Sequence, residues 1–499
     1  MNIVSLLDIV ASVEPDRVAL GDRRSGLTYG QLRERVGVAA AALAGQPERP
    51  VLYAGTATIA FPVALFAAAV AGRPFAPISY RLAKAPFEAL VADQAPALLI
   101  ADERTLRGVA LADGVDVVET AAYAAAVPDL APVEPEHDPE APAVLLHTSG
   151  TTGKPKVAIL RHRHLTSYVL GGTELLSAGA DEAALVSVPP YHIAGVAGLL
   201  TGLYSGRRIV QLPNFDPDAW VALAAEQQVT HAMLVPTMLA RIIDVLERDG
   251  TALPALRHLS YGGGRMPLPV IEKALELLPH VNFVNGYGLT ETTSSIAVLG
   301  PDEHREARSS TDPSVRRRLG SVGRPLPSVE IVVRDPVGTD LPAGERGELW
   351  VRGPQVSGEY ASGSRIDADG WFRTRDAGWI DDDGYVYVEG RLDDVIVRGG
   401  ENLSPGEIED VIAAHPDVDE AVVFGVPDDQ WGEVAVAAVV PRPGVALDEG
   451  TVQRWVAERL RSTRVPERVL IRAELPRNEM GKLLRRVLRA EATPPAVVS

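Results

Sequence analysis

Residues 143–156 read Ala143-Val144-Leu145-Leu146-His147-Thr148-Ser149-Gly150-Thr151-Thr152-Gly153-Lys154-Pro155-Lys156, an apolar strand-like run followed by glycines, hydroxyl side chains and lysines. Gly150 and Gly153 let backbone N–H groups turn toward phosphate oxygens with no Cβ in the way. Thr148, Ser149, Thr151 and Thr152 add hydroxyl donors, and Lys154 and Lys156 add charge. The stretch predicts an anion-gripping loop at the end of a strand rather than a plain polar turn. It is not the common P-loop, which carries Gly-Lys-Ser/Thr five residues after a first glycine. Here Pro155 follows Lys154, and Thr148 stands where that first glycine belongs.

Working outward, a chain of 499 residues exceeds the size at which one hydrophobic core keeps growing, so two or three domains are expected. The formal net charge of −18 argues against general affinity for nucleic acid or an anionic membrane surface, so any nucleotide must be held locally. With no cysteine in the sequence, disulfides, thiolate zinc sites and a cysteine nucleophile are excluded, which fits a reducing cytoplasm. The first residues lack a basic segment and meet Asp8 early, so no secretory signal is expected. The apolar stretch from Ile59 to Ala71 is interrupted by Pro62. It is shorter than the roughly 18 to 20 residues that span a bilayer, and predicts a buried core helix instead of membrane insertion.

Over most of the first 300 residues β-branched runs alternate with Ala/Leu-rich helical segments, as in helical 29–43, strand-like 50–53 and helical 60–71. That alternation predicts an α/β fold. Around 331–390 short strands separated by Gly and Asp turns predict an antiparallel, β-barrel-like subdomain. Beyond Arg391-Leu392-Asp393-Asp394 the pattern is compact α+β, with helices near 405–414 and 450–461, strands near 419–424 and 433–440, and a basic Arg/Leu segment at 482–489. The expected division is a large domain at 1–392 and a small one at 393–499. Arg-rich and acid-rich segments near 302–308 and 316–318 read as solvated loops, because Arg316-Arg317-Arg318 lacks interleaved aromatics.

Three further motifs carry chemistry. Asn285-Gly286-Tyr287-Gly288-Leu289-Thr290-Glu291-Thr292 can stack a base on Tyr287, donate from Thr290 to a phosphate and offer the Glu291 carboxylate to Mg2+, which takes one or two carboxylates plus phosphate oxygens. A helix cap is the plain alternative. Asp376, in Thr374-Arg375-Asp376, can accept both hydroxyls of a ribose, since an ionised carboxylate has two oxygens and no competing donor. Arg391 can add a bond to the same sugar. Finally, a lysine beside glycine ahead of a basic helix, Gly481-Lys482-Leu483-Leu484-Arg485-Arg486, can be delivered to a developing charge.

With these four pieces in this order, the chain resembles the AMP-forming adenylating enzymes: acyl- and aryl-CoA synthetases, peptide-synthetase adenylation domains and luciferases. The resemblance covers essentially the whole length, from Leu27-Thr28-Tyr29-Gly30-Gln31-Leu32 to Gly481-Lys482. It implies that 148–156 is the loop for the β- and γ-phosphates, with Thr152 and Glu291 near Mg2+. Gly262-Gly263-Gly264 and Asn285–Tyr287 match the adenine-binding segments, Thr290 the α-phosphate contact, and Asp376 with Arg391 the ribose pair. Lys482 matches the lysine that bridges carboxylate and α-phosphate during adenylation. Asp393 corresponds to a hinge about which the small domain swings, and Gly399-Gly400 to the segment that then borders the pantetheine channel.

Within the family, Pro189-Pro190-Tyr191-His192 resembles the aromatic–His pair of acyl- and aryl-CoA ligases, whose His guards the acyl pocket. No aspartate stands between His192 and Leu200 to pair with an amino-acid ammonium. Two departures matter. Val157 replaces a usual glycine, and Arg265 stands where proline or a small residue is usual. Arg265 is expected either to face solvent or to tune the pocket toward a polar acid. Gly286 argues against malonate, whose ligases carry an arginine there. The expected activity is therefore ATP- and Mg2+-dependent acyl-adenylate formation followed by transfer to CoA. The alternative is a stand-alone adenylating enzyme serving a carrier protein or an amine, and an ATP-binding regulatory protein is a third reading. A homodimer is left open, as are aromatic, short-chain and medium-chain acids.

Overall fold

The structure, a computed structural model, describes residues 1–125, 138–148, 156–399, 401–477 and 483–493. The α/β alternation is present from the start. Helix α1 (Tyr29–Ala44) begins at Thr28, whose hydroxyl accepts from the Gln31 N–H while the Gln31 side chain returns the bond, a reciprocal cap. Strand β1 (Val51–Ala54) and helix α2 (Ala60–Val70) follow, and every residue of α2 is buried, which makes it the expected core helix. No helix among the described residues is long and apolar enough to cross a membrane.

Strands β2 (Pro142–Thr148) and β3 (Lys156–Arg161) pair antiparallel with Thr148 opposite Lys156. The two ends of the stretch quoted first are thus antiparallel strand partners, whereas a P-loop runs from strand into helix. The pair lies in an eight-stranded sheet, with the strand Phe75–Pro77 and then β1 on one side and a short hairpin at residues 359–364 on the other.

A second, nine-stranded sheet places the next motifs. β4 (Ala183–Val186) leads through residues 187–192 to α3 (Ile193–Tyr204), and β5 (His231–Leu234) leads to α4 (Pro236–Asp249). β6 (His258–Gly262) and β7 (Asn282–Leu289) complete a parallel set, with β8 (Ser294–Leu299) returning antiparallel beside β7.

The expected barrel-like part is a four-stranded antiparallel sheet of Glu330–Arg334, Gly347–Arg352, β10 and β11, while β9 (Glu359–Tyr360) belongs to the first sheet. Here β10 is Phe372–Ile380 and β11 is Val386–Arg391. From Ile396 onward a five-stranded sheet forms, beginning with β12 (Ile396–Arg398) and β13 (Glu401–Leu403) and followed by helix α5 (Pro405–Ala413). Its long central strands alternate sides. Val423 joins one apolar cluster with Ile408 and Ile412, and Val422 and Phe424 join another with Leu488.

One expectation fails. The charged segments near 302–308 and 316–318 are not loops but the helices Pro301–Ser309 and Pro313–Arg316 and a 3-10 turn at Arg317–Gly320. Pro301 sits in the first turn, where a missing N–H costs nothing, and Glu303 accepts the Gly300 N–H at 2.6 Å. The aromatics absent from the local sequence arrive from elsewhere. The Arg318 guanidinium lies 4.6 Å from the Tyr385 ring centre and Arg317 lies 5.3 Å from that of Trp379.

Candidate active site

The carboxyl ends of β4, β5, β6 and β7 lie along one edge of the parallel sheet, the edge at which open α/β sheets bind ligands. From that edge emerge Tyr191-His192, Gly262-Gly263-Gly264 and Asn285–Glu291, so sheet topology gathers what the sequence scatters over 100 residues. Gly262 and Gly286 sit opposite each other in β6 and β7, and a Cβ on Gly262 would overlap the Gly286 carbonyl. Gly263 adopts φ +79°, which favours glycine. Among the residues matched to adenine, the Asn285 amide donates to the Ser321 carbonyl at 3.0 Å, bracing the strand end.

Past β7 the chain makes a 3-10 turn at Thr290–Thr292, then passes through Thr293 (φ +54°) and Ser294 (φ +83°). Two such left-handed residues store on the order of 1–3 kcal/mol each, which the surroundings must offset. Gln355 does so. Its side-chain amide donates to the carbonyls of Thr292 at 3.1 Å and Ser295 at 2.8 Å, and its main-chain carbonyl accepts the Thr293 hydroxyl at 2.7 Å. The N–H groups of Ser357 and Gly358 hold the Glu291 carbonyl at 2.8 and 3.1 Å.

Tyr360 completes this clamp. It lies on β9 opposite Ala158 of β3, the strand that leaves the quoted loop, and its hydroxyl donates to the Glu291 carboxylate. Burial, and then the neighbouring carboxylate, push the Tyr360 phenol above its ordinary range, so it stays a donor. The Lys156 ammonium lies 5.9 Å from the Tyr360 ring centre, and Thr148 donates to the Lys156 carbonyl at 3.3 Å. Ser149, Gly150, Thr151, Thr152 and Gly153 lie outside the described residues. Glu291 offers the single hard carboxylate that Mg2+ takes when phosphate oxygens supply most of its other ligands, so the donor chemistry fits.

Asp376 is buried on β10, and its two oxygens are engaged from two sides. Tyr287 donates its hydroxyl at 2.7 Å, and Arg391, the register partner on β11, donates at 3.0 Å. Burial opposes the charge on Arg391, but Asp376 and Glu291 outweigh it and raise its pKa. The two acid-bearing motifs therefore share one electrostatic cluster. Tyr287 was read as a base-stacking ring; the structure adds that its hydroxyl orients Asp376. Arg375, next to Asp376, has φ +61° and pairs with Asp393 at 2.9 Å.

Tyr191 and His192 sit at the start of α3, with ring centres 5.1 Å apart and Tyr80 5.5 Å from Tyr191. Burial, helped by the nearby Arg81, lowers the His192 pKa to about 4, so the imidazole is neutral near pH 7. A Cβ built on Gly198, two turns along α3, would meet nothing within 4 Å. Arg265 does not simply face solvent. Its guanidinium pairs with Asp410 of α5. The Gly399 N–H donates to the Trp431 carbonyl at 2.7 Å, while Gly400 and Lys482 lie outside the described residues.

Gln355, Ser357, Gly358, Tyr360, Tyr80 and Arg81 were not singled out by the sequence. The short run Gln355-Val356-Ser357-Gly358-Glu359-Tyr360 carried one signal, a polar residue pair around a glycine at a strand end, too weak to read alone.

Residues 7–361 match the family described as AMP-binding enzyme, and residues 407–482 match the AMP-binding enzyme C-terminal domain. The indoleacetate–CoA ligase of Aromatoleum aromaticum is 33% identical over 97% of this chain and 96% of its own. The feruloyl-CoA synthase of an Amycolatopsis species is 33% identical over 96% of both. Among solved structures, the o-succinylbenzoate CoA synthetase of Bacillus subtilis with its acyl-adenylate intermediate superposes with a TM-score of 0.84, at 27% identity over 97% of each chain. The same enzyme has been solved with ATP and magnesium ion. The chain belongs to the AMP-binding enzyme family, as an ATP-dependent ligase that joins a carboxylic acid to CoA.

Proposed function

We propose that the acid carries an aromatic ring and that the residues gathered above divide the two half-reactions between them. The observation that carries the reading is the cluster in which Tyr287 and Arg391 hold Asp376 beside Glu291. It presents a fixed carboxylate to a ribose and a second one toward phosphates, as ATP requires.

In the first half-reaction a carboxylate oxygen of the acid attacks the α-phosphorus. The bond from that phosphorus to the pyrophosphate oxygen breaks, giving acyl-AMP and pyrophosphate. Asp376 and Arg391 fix the ribose, Thr290 contacts the α-phosphate, and Thr148 to Gly153 with Lys156 hold the β- and γ-phosphates. Thr152 and Glu291 would hold Mg2+, which offsets the phosphate charge. Lys482 supplies a cation where carboxylate and phosphate oxygens meet. No side chain is covalently modified; positioning and charge supply the acceleration. Neutral His192 donates to the incoming carboxylate without titrating.

In the second half-reaction the CoA sulfur attacks the acyl carbon, the bond to AMP breaks, and the thiol proton passes to solvent. The small domain, from Asp393 onward, reorients between the two steps and brings Gly399 and Gly400 to the thiol path. An aromatic acid is supported by Tyr80 and Tyr191 beside His192 and by the open space at Gly198. The indoleacetate and 2-succinylbenzoate named for relatives point the same way. A location in the cytoplasm fits the absence of cysteine.

Pyrophosphate release across a panel of aryl-acetic, aryl-propenoic, short-chain and medium-chain acids, with and without CoA, tests this reading. The aromatic acids are expected to lead by at least about tenfold in kcat/KM. A preference for medium-chain aliphatic acids overturns the substrate class.

A further inference from the structure

Arg265 stands on the loop that carries the β6 glycines to the nucleotide site, one residue after Gly264. Its guanidinium crosses to α5, the helix that follows β13, and pairs there with Asp410. It also occupies the space over Gly406, where a Cβ on that residue would overlap the guanidinium. The arginine is therefore seated: a carboxylate on one side, and on the other a helix position that only glycine leaves open. Asp410 is half-buried, and burial pushes its carboxyl up to about 6 against the pull of Arg265. A pair held against desolvation adds little net stability but fixes geometry. Elsewhere on the same seam the Asp419 carboxyl is raised by burial and Glu420, with Arg442 opposing and Asp244 of α4 adding the smallest push. Arg265 thus pairs a cation of the large part with an acid of the C-terminal part.

We propose that Arg265, seated on Gly406 and paired with Asp410, is a positioning residue that clasps the C-terminal part in one of its two working arrangements and so sets the ratio of the two half-reaction rates. Arg265 touches no reacting atom and acts through the placement of α5 and of the β12–β13 hairpin just before it. The inference rests on the two-step reading above, but its central readout, the distance across the seam, needs neither the acid nor CoA.

The absence of cysteine makes the test direct. Cysteines introduced at exposed Glu276 and Glu458 accept a pair of distance labels. In this background Arg265→Ala, Gly406→Ala and the double variant are compared. Alanine is a better helix former than glycine, so Gly406→Ala leaves α5 folded and displaces only the guanidinium. Melting temperature, ATP–pyrophosphate exchange, and thioester formation from preformed acyl-AMP are measured on each.

Each single variant is expected to broaden the distance distribution and to change the ratio of half-reaction rates by about fivefold or more. Gly406→Ala should add nothing once Arg265 is gone. The proposal is overturned if the distribution stays that of the parent, if both half-reactions change equally, or if the two substitutions act additively.

Discussion

Asp393 pairs with Arg375 at 2.9 Å, and Arg375 immediately precedes the buried Asp376, so the proposed hinge and the proposed ribose carboxylate are joined at one strand end. Both partners of the pair are about half exposed, at 58% and 49%. Such pairs contribute about 0 to 1 kcal/mol, and Arg375 also carries the cost of φ +61°. Arg375→Gly, which loses the pair but relieves the backbone, should leave unfolding free energy within about 1 kcal/mol of the parent. Arg375→Val should cost about 1–3 kcal/mol more, because a β-branched side chain fits poorly at that φ. Urea titrations separate the two outcomes; equal losses would remove backbone strain from the explanation.

Tyr360→Phe removes a single hydroxyl from the Glu291 carboxylate while keeping the ring beside Lys156. A hydrogen bond to a charged acceptor is worth about 1.5–3 kcal/mol, so the Mg·ATP dependence of adenylation should weaken by about tenfold or more. The KM for the acid should hold, since Tyr191 and His192 are untouched. A loss confined to the acid KM would place Tyr360 in the acyl pocket instead.

Asp376→Asn keeps the shape but leaves Arg391 without its hydrogen-bonded carboxylate, with only Glu291 as counter-charge, and removes an oxygen acceptor. The KM for ATP should rise by roughly 10- to 100-fold. The parent should also discriminate against 2′-deoxy- and 3′-deoxy-ATP, and the variant should lose that discrimination. Steady-state kinetics with the three nucleotides decide it; equal discrimination in both proteins would move the ribose contact off Asp376.

Buried histidines give the stability a sign with pH, and three of them lie deepest in the core. Burial lowers His162, His164 and His304 to about 4, and they are 2%, 0% and 0% exposed. An unfolded histidine titrates near 6.5, so between about 6.5 and 4 the unfolded chain binds more protons. His147, His192 and His231 are lowered by burial as well, so stability is full above that window and falls as pH drops through it, with a slope approaching that of about six protons. Melting temperatures from pH 7.5 to 4.5 should decline, since the raised Asp410 carboxyl offsets only one of these protons, and a flat profile down to pH 4.5 would contradict the neutral assignment.

What was legible in the sequence, and what was not, follows from where the information lies. The candidate phosphate loop, the Glu291 turn, Asp376 and Lys482 stand out as candidates because several chemistry-bearing residues are packed into a few positions each, and of these the structure describes the Glu291 turn and Asp376. The α/β alternation was equally open, since Ala60–Val70 is apolar on all sides and short apolar strands bracket it. The helix at Pro301–Ser309 was hidden by its charge, because only His304 and Ala307 are buried and the apolar periodicity is too thin to count. The partners of Glu291 and Arg265 were hidden differently. Tyr360 lies 69 residues from Glu291 and Asp410 lies 145 from Arg265. Sheet pairing and the folding of the C-terminal part bring them together, and neither leaves a local pattern to read.

The central claim is that a carboxylate attacks the α-phosphorus of ATP and that the resulting acyl group passes to CoA. A single turnover with the acid labelled in both carboxylate oxygens with 18O, quenched and analysed by mass spectrometry, tests it most directly. The account predicts one labelled oxygen in AMP, the other retained in the thioester carbonyl, and none in pyrophosphate. Unlabelled AMP accompanying CoA thioester, or label appearing in inorganic phosphate, would contradict it.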